Sequence, residues 1–378
     1  MPERGGNKDI MSVIRILHAA DLHLDSPFEG LPDAKASQRR AEQRRLLERI
    51  AAAANSQDVK LVLLSGDLLD TGSAYMETAE SLIAALSSIG APVFIAPGNH
   101  DWYSDRSPYA RLQWPDNVHI FKYPHIECVP LPELGVRVWG AGFADARCQS
   151  MLDGFEAEKE EGTLDIMCIH GDAVMKDSPY NPITEDEIAR SGMDYIALGH
   201  IHKASGLKRA GDTYYAWPGC PEGRGFDERG EKYIYITDVS EGKCSVRPVS
   251  VALRRYEILP VDLSDGGDVE SKLPENTDND IYRLVLTGET ESAPDIPALR
   301  RALEGRFFAL DIRDETRLRR DVWDRAGDDT LRGVFLKNLR AMYDAADTEE
   351  EKIRVARAAR WGLAALDNRE EVSRSEDK

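Results

Sequence analysis

The sequence lacks the features that mark membrane and secreted proteins. No apolar run approaches the roughly 20 residues that a transmembrane helix needs, and the first ten residues, MPERGGNKDI, contain no apolar signal-peptide core. The five cysteines form no CxxC pair and are odd in number, which argues against a disulfide framework or a zinc knuckle. We therefore expect a cytoplasmic protein with reduced thiols and no membrane segment.

Positive charge is also scarce. The chain has 48 Lys and Arg residues against 67 Asp and Glu residues, which gives a formal net charge of −19. Proteins that hold nucleic acid by their own phosphate contacts usually present basic surfaces. Any nucleic acid bound here is therefore expected to be held by metal ions and by a basic partner.

The sequence does contain enough apolar residues, 42% of 378, for a core and more than one domain. In the first two-thirds, short apolar runs alternate with helical patterns, which predicts an α/β layered domain at 13–250 with strands buried on both faces. The predicted strands are 13–17, 61–64, 93–95, 136–139, 166–169, 195–198 and 233–237, and the clearest helices are 36–54 and 76–89. Residues 1–12 are expected to be a loose leader.

The pattern changes at Arg254. Strand patterns at 256–261, 282–286 and 307–312 alternate with helical patterns at 269–273 and 296–303, which predicts a small α+β unit at 254–315. A helical segment at 319–370 follows. Its first helix has an apolar stripe at 3–4 residue spacing, formed by Leu331, Val334, Phe335, Leu339, Met342 and Tyr343, and Thr348 with Glu351 forms a capping-box pattern before the second helix. The stripe either packs on the protein itself or binds a partner.

Metal-binding types of side chain follow five of the predicted strands. The motifs are Asp21-Leu22-His23, Gly66-Asp67 with Asp70, Gly98-Asn99-His100-Asp101, His170-Gly171 and Gly199-His200-Ile201-His202. Strand ends are where α/β sheets bind ligands, and five of the eight histidines lie in these turns. Asp, His and Asn together suit Mn²⁺, Fe²⁺ or Zn²⁺. The motifs therefore predict a two-metal centre, with Asp67 on the middle turn as the bridging carboxylate.

The order DxH, GDxxD, GNHD, HG and GHxH resembles the calcineurin-like metallophosphoesterase superfamily, and all five blocks are present in order. The segments HAADLHLDSPF, GHIH and WPGCPEGR resemble, more narrowly, the YhaO/SbcD-type bacterial DNA repair exonucleases. The resemblance covers residues 13–250 and is thin beyond them. It implies an α/β fold, a layered αββα metallophosphoesterase sandwich with a small α+β capping unit and a C-terminal helical segment.

The resemblance also implies a role for each motif residue. It places one metal ion on Asp21, His23, Asp67 and His202, and a second on Asp67, Asn99, His170 and His200. His100 matches the catalytic histidine that does not bind metal, and Asp70 matches the carboxylate that orients it. Asp101 is expected to cap the turn after His100.

Two further residues are weaker candidates for contacts with substrate. Arg224, in a glycine-rich turn, has the charge to bind a substrate phosphate, and a solvated loop arginine is the alternative. Tyr103 offers a ring on which a base could stack at the mouth of the site, and core or rim packing is the alternative.

The resemblance implies a DNA exonuclease that acts in DNA repair with two divalent metal ions, most simply Mn²⁺. It also implies that the C-terminal helices grip an SMC-like coiled-coil ATPase, and it is compatible with a homodimer. One alternative is a small-molecule or cyclic-nucleotide phosphodiesterase, or a phosphoprotein phosphatase, with the same dinuclear centre; another is a scaffolding subunit with structural metals. The additional C-terminal units favour the nuclease, whereas the net charge of −19 argues mildly against a DNA substrate.

Overall fold

The computed structural model describes residues 13–366 and divides into two units between Leu253 and Arg254. The predicted leader at 1–12 lies outside the described residues, as do residues 367–370 of the predicted helical segment. The finer division of the C-terminal part into a capping unit at 254–315 and a helical segment at 319–370 stays a prediction.

Within the described residues, the first unit contains two six-stranded sheets. Its strands are β1 Ile14–Ala19, β2 Leu61–Leu64, β3 Val93–Ile95, β4 Val118–Ile120, β5 Glu127–Leu131, β6 Val136–Ala141, β7 Leu164–His170, β8 Tyr195–Gly199, β9 Lys208–Ala210, β10 Thr213–Ala216, β11 Ile234–Ser240 and β12 Lys243–Val249. Its helices are α1 Asp33–Ser56, α2 Met76–Ser87, α3 Pro108–Arg111 and α4 Glu185–Arg190, with a 3₁₀ turn at Pro132–Leu134.

Both sheets have a parallel centre. The first has the order β12-β11-β1-β2-β3-β4, in which β1 to β4 run parallel and β11 and β12 are antiparallel additions. The second has the order β5-β6-β7-β8-β10-β9, in which β6, β7, β8 and β10 run parallel. All strands of one parallel group end at the same edge of their sheet, and this brings distant turns together.

The two sheets pack face to face. Alternate side chains of a strand point to opposite faces, so Leu63 and Phe94 meet Val138 and Ile166 of the other sheet in one apolar cluster. The other face of the first sheet packs against α1 and α2, and the other face of the second sheet packs against α4 and neighbouring loops. This arrangement confirms the predicted αββα sandwich.

Continuous apolar runs predicted the central strands well, because every residue of β2, β3, β7 and β8 is buried. The sequence analysis missed β5 and β12, which alternate between exposed and partly buried residues. An edge strand with one solvated face contains too few consecutive apolar residues to stand out.

The second unit contains a three-stranded parallel sheet of β13 Tyr256–Asp262, β14 Ile281–Thr287 and β16 Ala309–Asp314, and a two-stranded pair of β15 Glu289–Thr290 and β17 Arg317–Leu318. Its helices are α5 Ile296–Ala302, α6 Leu331–Asp344 and α7 Glu349–Leu366, with 3₁₀ segments at Glu270–Lys272 and Arg320–Gly327. The predicted helix at 269–273 is wrong, since one 3₁₀ turn forms before Pro274, and proline disfavours helical geometry in the preceding residue. None of the described helices is long and apolar enough to cross a membrane.

The predicted apolar stripe of α6 is divided between two faces. Phe335, Leu339 and Tyr343 pack in the apolar cluster that α6 forms with α7. In contrast, Leu331, Val334 and Met342 are 72%, 55% and 58% exposed. Part of the predicted stripe thus packs on the protein itself and part is exposed, because tertiary packing covers only one side of the helix.

The capping box before α7 is present as predicted. The Glu351 backbone N–H donates to Thr348 Oγ1 at 3.2 Å, and the Thr348 N–H donates to Glu351 Oε2 at 3.3 Å. Both bonds satisfy backbone donors that the first helical turn leaves without partners. The sequence pattern therefore set the beginning of this helix.

Leu63 is fully buried in the apolar core between the two sheets, so truncation of its side chain should strongly destabilise the protein. Leu63→Ala should lower the free energy of unfolding by about 2–5 kcal/mol, because it removes apolar contacts and leaves a cavity. Urea unfolding followed by circular dichroism measures this change. Met76→Ala, at a position that is 75% exposed, is the control and should change the stability by less than about 0.5 kcal/mol. Equal effects of the two substitutions would contradict the packing described here.

Candidate metal centre

The structure brings all seven predicted metal-binding residues to one place. Asp21 and His23 follow β1, Asp67 follows β2, Asn99 follows β3, His170 ends β7, and His200 and His202 follow β8. These are the carboxyl ends of parallel strands, where α/β sheets bind their ligands. Both sheets of the sandwich therefore contribute to the site.

The first group of side chains with metal-binding geometry is Asp21, His23 and His202. His23 Nε2 lies 3.1 Å from His202 Nε2. Asp21 and His23 are fully buried, whereas His202 is partly exposed. The Asp21 carboxylate also accepts a hydrogen bond from the His200 backbone N–H at 2.9 Å, which ties the first turn to the last.

The second group is Asp67, His170 and His200, with Asn99 between the two histidines. Asn99 Oδ1 lies 3.0 Å from His170 Nε2 and 3.1 Å from His200 Nδ1. Asp67 Oδ2 is 3.4 Å from His170 Nε2 and 3.8 Å from His23 Nε2. Asp67 thus lies between the two groups, which is the position that a bridging carboxylate requires.

The donor set fits divalent cations. His202 Nδ1 is 2.7 Å from Glu228 Oε1, and His170 Nδ1 is 2.9 Å from the Ser65 carbonyl oxygen. Because both partners are acceptors, Nδ1 carries the proton and Nε2 directs a lone pair into the site. His23 Nδ1 lies 3.2 Å from Asp70 Oδ1, so its Nε2 is directed in the same way. Imidazole lone pairs and carboxylates this close repel one another unless a cation lies among them.

The backbone of the turns is strained. Asp21, His23, Asp67 and His200 have φ values of 55°, 43°, 50° and 93°, in the left-handed region that costs a non-glycine residue about 1–3 kcal/mol. These turns redirect the side chains from the strand direction toward the centre of the site. Gly66 has a φ of 88°, and a Cβ atom there would lie 2.3 Å from His170 Nδ1, so only glycine fits.

His100 lies at the exposed side of the site. Its backbone N–H donates to Asp67 Oδ1 at 2.9 Å, and its Nδ1 is 3.1 Å from the Asp70 carbonyl oxygen. The ring centroids of His100 and His23 are 4.8 Å apart. His23, Asp67 and His100 therefore also have metal-binding geometry.

The prediction that the Asp70 carboxylate orients His100 is wrong. The carbonyl oxygen of Asp70 contacts His100, whereas the carboxylate accepts a hydrogen bond from Arg224 Nη1 at 2.9 Å and faces His23 Nδ1. Burial alone would raise the pKa of the Asp70 carboxyl, but His23 and Arg224 hold it below its usual value. Asp70 therefore orients His23 with its side chain and His100 with its backbone.

The two candidates for substrate contact are engaged with the protein itself. Besides its bond to Asp70, Arg224 donates from Nη2 to Glu228 Oε1 at 2.8 Å, so it is not a solvated loop arginine. Tyr103 is half-buried and packs against the cluster between the first sheet and its helices. The Lys122 ammonium lies 5.8 Å from the centre of the Tyr103 ring. Packing is thus the contact that the structure describes for Tyr103.

Sequence analysis missed Glu228, which orients His202. The Glu228 side chain is almost fully buried and accepts hydrogen bonds from His202 and Arg224. Burial alone would raise the pKa of its carboxyl, but these two partners hold that pKa well below the usual range. Glu228 lies in a turn-rich stretch four residues after the WPGCPEGR segment, and no strand ends beside it. The signals available were that segment and the density of charged residues in the glycine-rich loop.

A buried ion pair holds this loop in place. Arg39 of α1 is fully buried, and its Nη1 donates to Glu222 Oε1 at 2.7 Å and to Glu42 Oε2 at 2.9 Å. Gln43, also on α1, donates from Nε2 to the His23 carbonyl oxygen at 3.1 Å. One helix thus supports both the first metal-binding turn and the loop that contains Glu228.

The sequence analysis expected Asp101 to cap the turn after His100, and this prediction is wrong. Its carboxylate accepts hydrogen bonds from the backbone N–H groups of Gly98 at 2.8 Å and Leu69 at 3.1 Å, and from the Tyr109 hydroxyl at 2.6 Å. The reason is burial, because a fully buried carboxylate must find several donors. Asp101 therefore ties the turn after β2 to the turn after β3.

Comparison with known proteins finds a phosphoesterase family model and several relatives that match this chain. The family model described as calcineurin-like phosphoesterase matches residues 14–204. The uncharacterized metallophosphoesterase YhaO of Bacillus subtilis is 29% identical over 354 residues, which cover 87% of this chain and 85% of that protein. A component of the nuclease SbcCD of Bacillus subtilis is 26% identical over 272 residues, which cover 61% of this chain and 67% of that protein. The DNA double-strand break repair protein Mre11 of Aeropyrum pernix is 27% identical over 276 residues, which cover 68% of this chain and 65% of that protein.

The hydrogen bond between Glu228 and His202 predicts an effect on metal affinity. Glu228→Gln should weaken Mn²⁺ binding about 10–100-fold, because the amide no longer supplies the negative charge that fixes the His202 tautomer. Equilibrium dialysis followed by metal analysis measures the affinity. Glu241→Gln, in the exposed turn between β11 and β12, is the matched control. Unchanged affinity in Glu228→Gln would show that Glu228 does not support the centre.

Proposed function

The chain belongs to the calcineurin-like phosphoesterase family, and we propose that within this family it is a Mn²⁺-dependent DNA exonuclease that acts in DNA repair. The family consists of metal-dependent hydrolases with a dinuclear centre, and the His and Asp groups described above have the geometry to bind it. Two of its relatives are named as a component of a nuclease and as a DNA double-strand break repair protein. The observation that carries the proposal is the exposed His100 beside seven converging metal-binding side chains.

We assign the residues of the centre as the sequence motifs suggest. One ion would bind Asp21, His23, Asp67 and His202, and the other would bind Asp67, Asn99, His170 and His200. Mixed oxygen and imidazole ligands suit Mn²⁺. Two such ions, when bound, neutralise phosphate charge and supply a water nucleophile at neutral pH.

His100 is the proposed general acid. With Nδ1 donating to the Asp70 carbonyl oxygen, its Nε2 is left to hold a proton toward the leaving oxygen of the substrate. The ring is exposed, so substrate can reach it. Asp67 accepts the His100 backbone N–H and therefore fixes the distance between this acid and the centre.

We further propose that a partner, an SMC-like coiled-coil ATPase, holds the DNA. The exposed apolar residues Leu331, Val334 and Met342 of α6 and Ile353 of α7 offer it a binding surface. The related nuclease component is named as one part of a complex. A partner would also resolve the conflict between the net charge of −19 and a polyanionic substrate. A homodimer, a capping role for 254–315 and a cytoplasmic location stay predictions.

The proposed DNA substrate predicts how fast the protein hydrolyses DNA compared with cyclic nucleotides and a chromogenic diester. With Mn²⁺, the protein should release nucleotides from the ends of linear DNA, presented as duplex and as single strands, and should act on cyclic nucleotides much more slowly. Bis(p-nitrophenyl) phosphate, a chromogenic diester, reports on the centre regardless of substrate class. Hydrolysis of the chromogenic diester and cyclic nucleotides without DNA cleavage would contradict the exonuclease proposal and favour a small-molecule phosphodiesterase.

The proposed roles of His100 and Asp67 predict different defects. His100→Ala should lower kcat on the chromogenic diester by about 10²–10⁴-fold while the Mn²⁺ content stays unchanged. Asp67→Asn should lose both activity and bound metal, because Asp67 is the proposed bridge. Plasma mass spectrometry measures the metal content, and Asp116→Asn, at an exposed position, is the control. Loss of metal in His100→Ala would make His100 a ligand and refute its role as the acid.

A further inference from the structure

A cavity of about 700 Å³ opens beside the metal centre, on the side of His200 and His202. Its other lining residues come from the segments after β7 and β8 and from the loop before β11. His100 is not among its lining residues. Its volume is typical of a small-molecule binding site.

Lys232 lines this cavity and is more than nine-tenths buried. Its ammonium group has no hydrogen bond or ion pair with any residue in the described part of the chain. The stem of Lys232 is therefore held by the protein, whereas its ammonium group is open to the cavity. An ammonium group placed in this way can form a charge-assisted hydrogen bond with a bound anion.

The other charges of the cavity favour an anion. Lys203 and Arg229 are exposed and, within 13–366, their side chains form no ion pair. Of the three lining carboxylates, Glu228 accepts hydrogen bonds from His202 and Arg224, Asp172 Oδ1 accepts the backbone N–H groups of Val174 and Met175, each at 2.9 Å, and Asp227 is exposed. The lining thus has three cationic and three anionic side chains, and two divalent ions bound at the centre would make the local charge positive.

The cavity also has an apolar side. Val174 and Met175 line it and are 65% and 64% exposed. The hydrogen bonds from their backbone N–H groups to Asp172 hold them at this position. Exposed apolar side chains next to unpaired cations suit a ligand that has both an apolar ring and a phosphate, as a nucleotide has.

We propose that this cavity, the Lys232 cavity, is a nucleotide subsite that binds the residue next to the scissile phosphate. The Lys232 ammonium binds the neighbouring phosphate, and Val174 and Met175 contact the base or the sugar. This inference rests on the proposed phosphodiesterase function and narrows its substrate class to nucleotides with at least two phosphates, as in a nucleic acid strand. Diesters with a single phosphate do not use the subsite.

Calorimetric titration of the full Mn²⁺-loaded chain tests this subsite without requiring catalysis. The ligands are thymidine 3′,5′-bisphosphate, which can reach both the centre and the cavity, and inorganic phosphate, which fills the centre alone. Lys232→Met should weaken binding of the bisphosphate about tenfold or more, as expected for loss of one charge-assisted hydrogen bond. It should change phosphate binding less than about twofold. Lys243→Met, an exposed lysine of β12, is the matched control.

The outcomes separate the subsite from the exonuclease proposal. Unchanged bisphosphate binding in Lys232→Met, or equal weakening of both ligands, would overturn the subsite. Lys232→Arg should restore the preference for the bisphosphate, and Lys232→Gln replaces the methionine variant if that variant does not fold. If the wild-type chain binds the bisphosphate through Lys232 but cuts no DNA, the subsite stands and the exonuclease function fails.

Discussion

Repulsion among buried acceptors at the ends of the strands is the constraint on which the rest of the structure depends. Asp21 and Asp67 are buried without a lysine or arginine partner among the described residues, and the Nε2 atoms of His23 and His202 lie 3.1 Å apart. Divalent cations relieve this repulsion. The sandwich, with two parallel groups of strands ending at one place, assembles these residues from both sheets into a single site.

The centre also depends on residues far from its motifs. Helix α1 holds the loop that contains Glu228 through the buried pair of Arg39 and Glu222, and Glu228 in turn orients His202. Arg224 joins Glu228 to Asp70, and Asp70 faces His23. Both histidines proposed to bind the first ion thus have an outer partner that sets their direction, which is how proteins commonly tune metal affinity.

Local charge and total charge point in different directions. The chain has a net charge of −19, whereas the Lys232 cavity is lined by three cations and three carboxylates, and divalent ions at the centre would make its local charge positive. Binding of a phosphate depends on the groups within a few ångströms of it, since salt screens more distant charges beyond about 8–10 Å. An acidic protein can therefore bind a polyanion locally while its remaining surface contributes little, and a partner can supply the rest of the affinity.

Contacts between neighbouring residues account for part of the fold and of the site. The buried strands at 61–64 and 93–95, the polar turns after them and the Thr348 capping box follow from short local patterns. Tertiary structure alone decided which atom of Asp70 meets His100, which carboxylate orients His202, why Lys232 is buried and which side of α6 is covered. These outcomes depend on contacts between residues distant in the chain, and local patterns contain no information about such contacts.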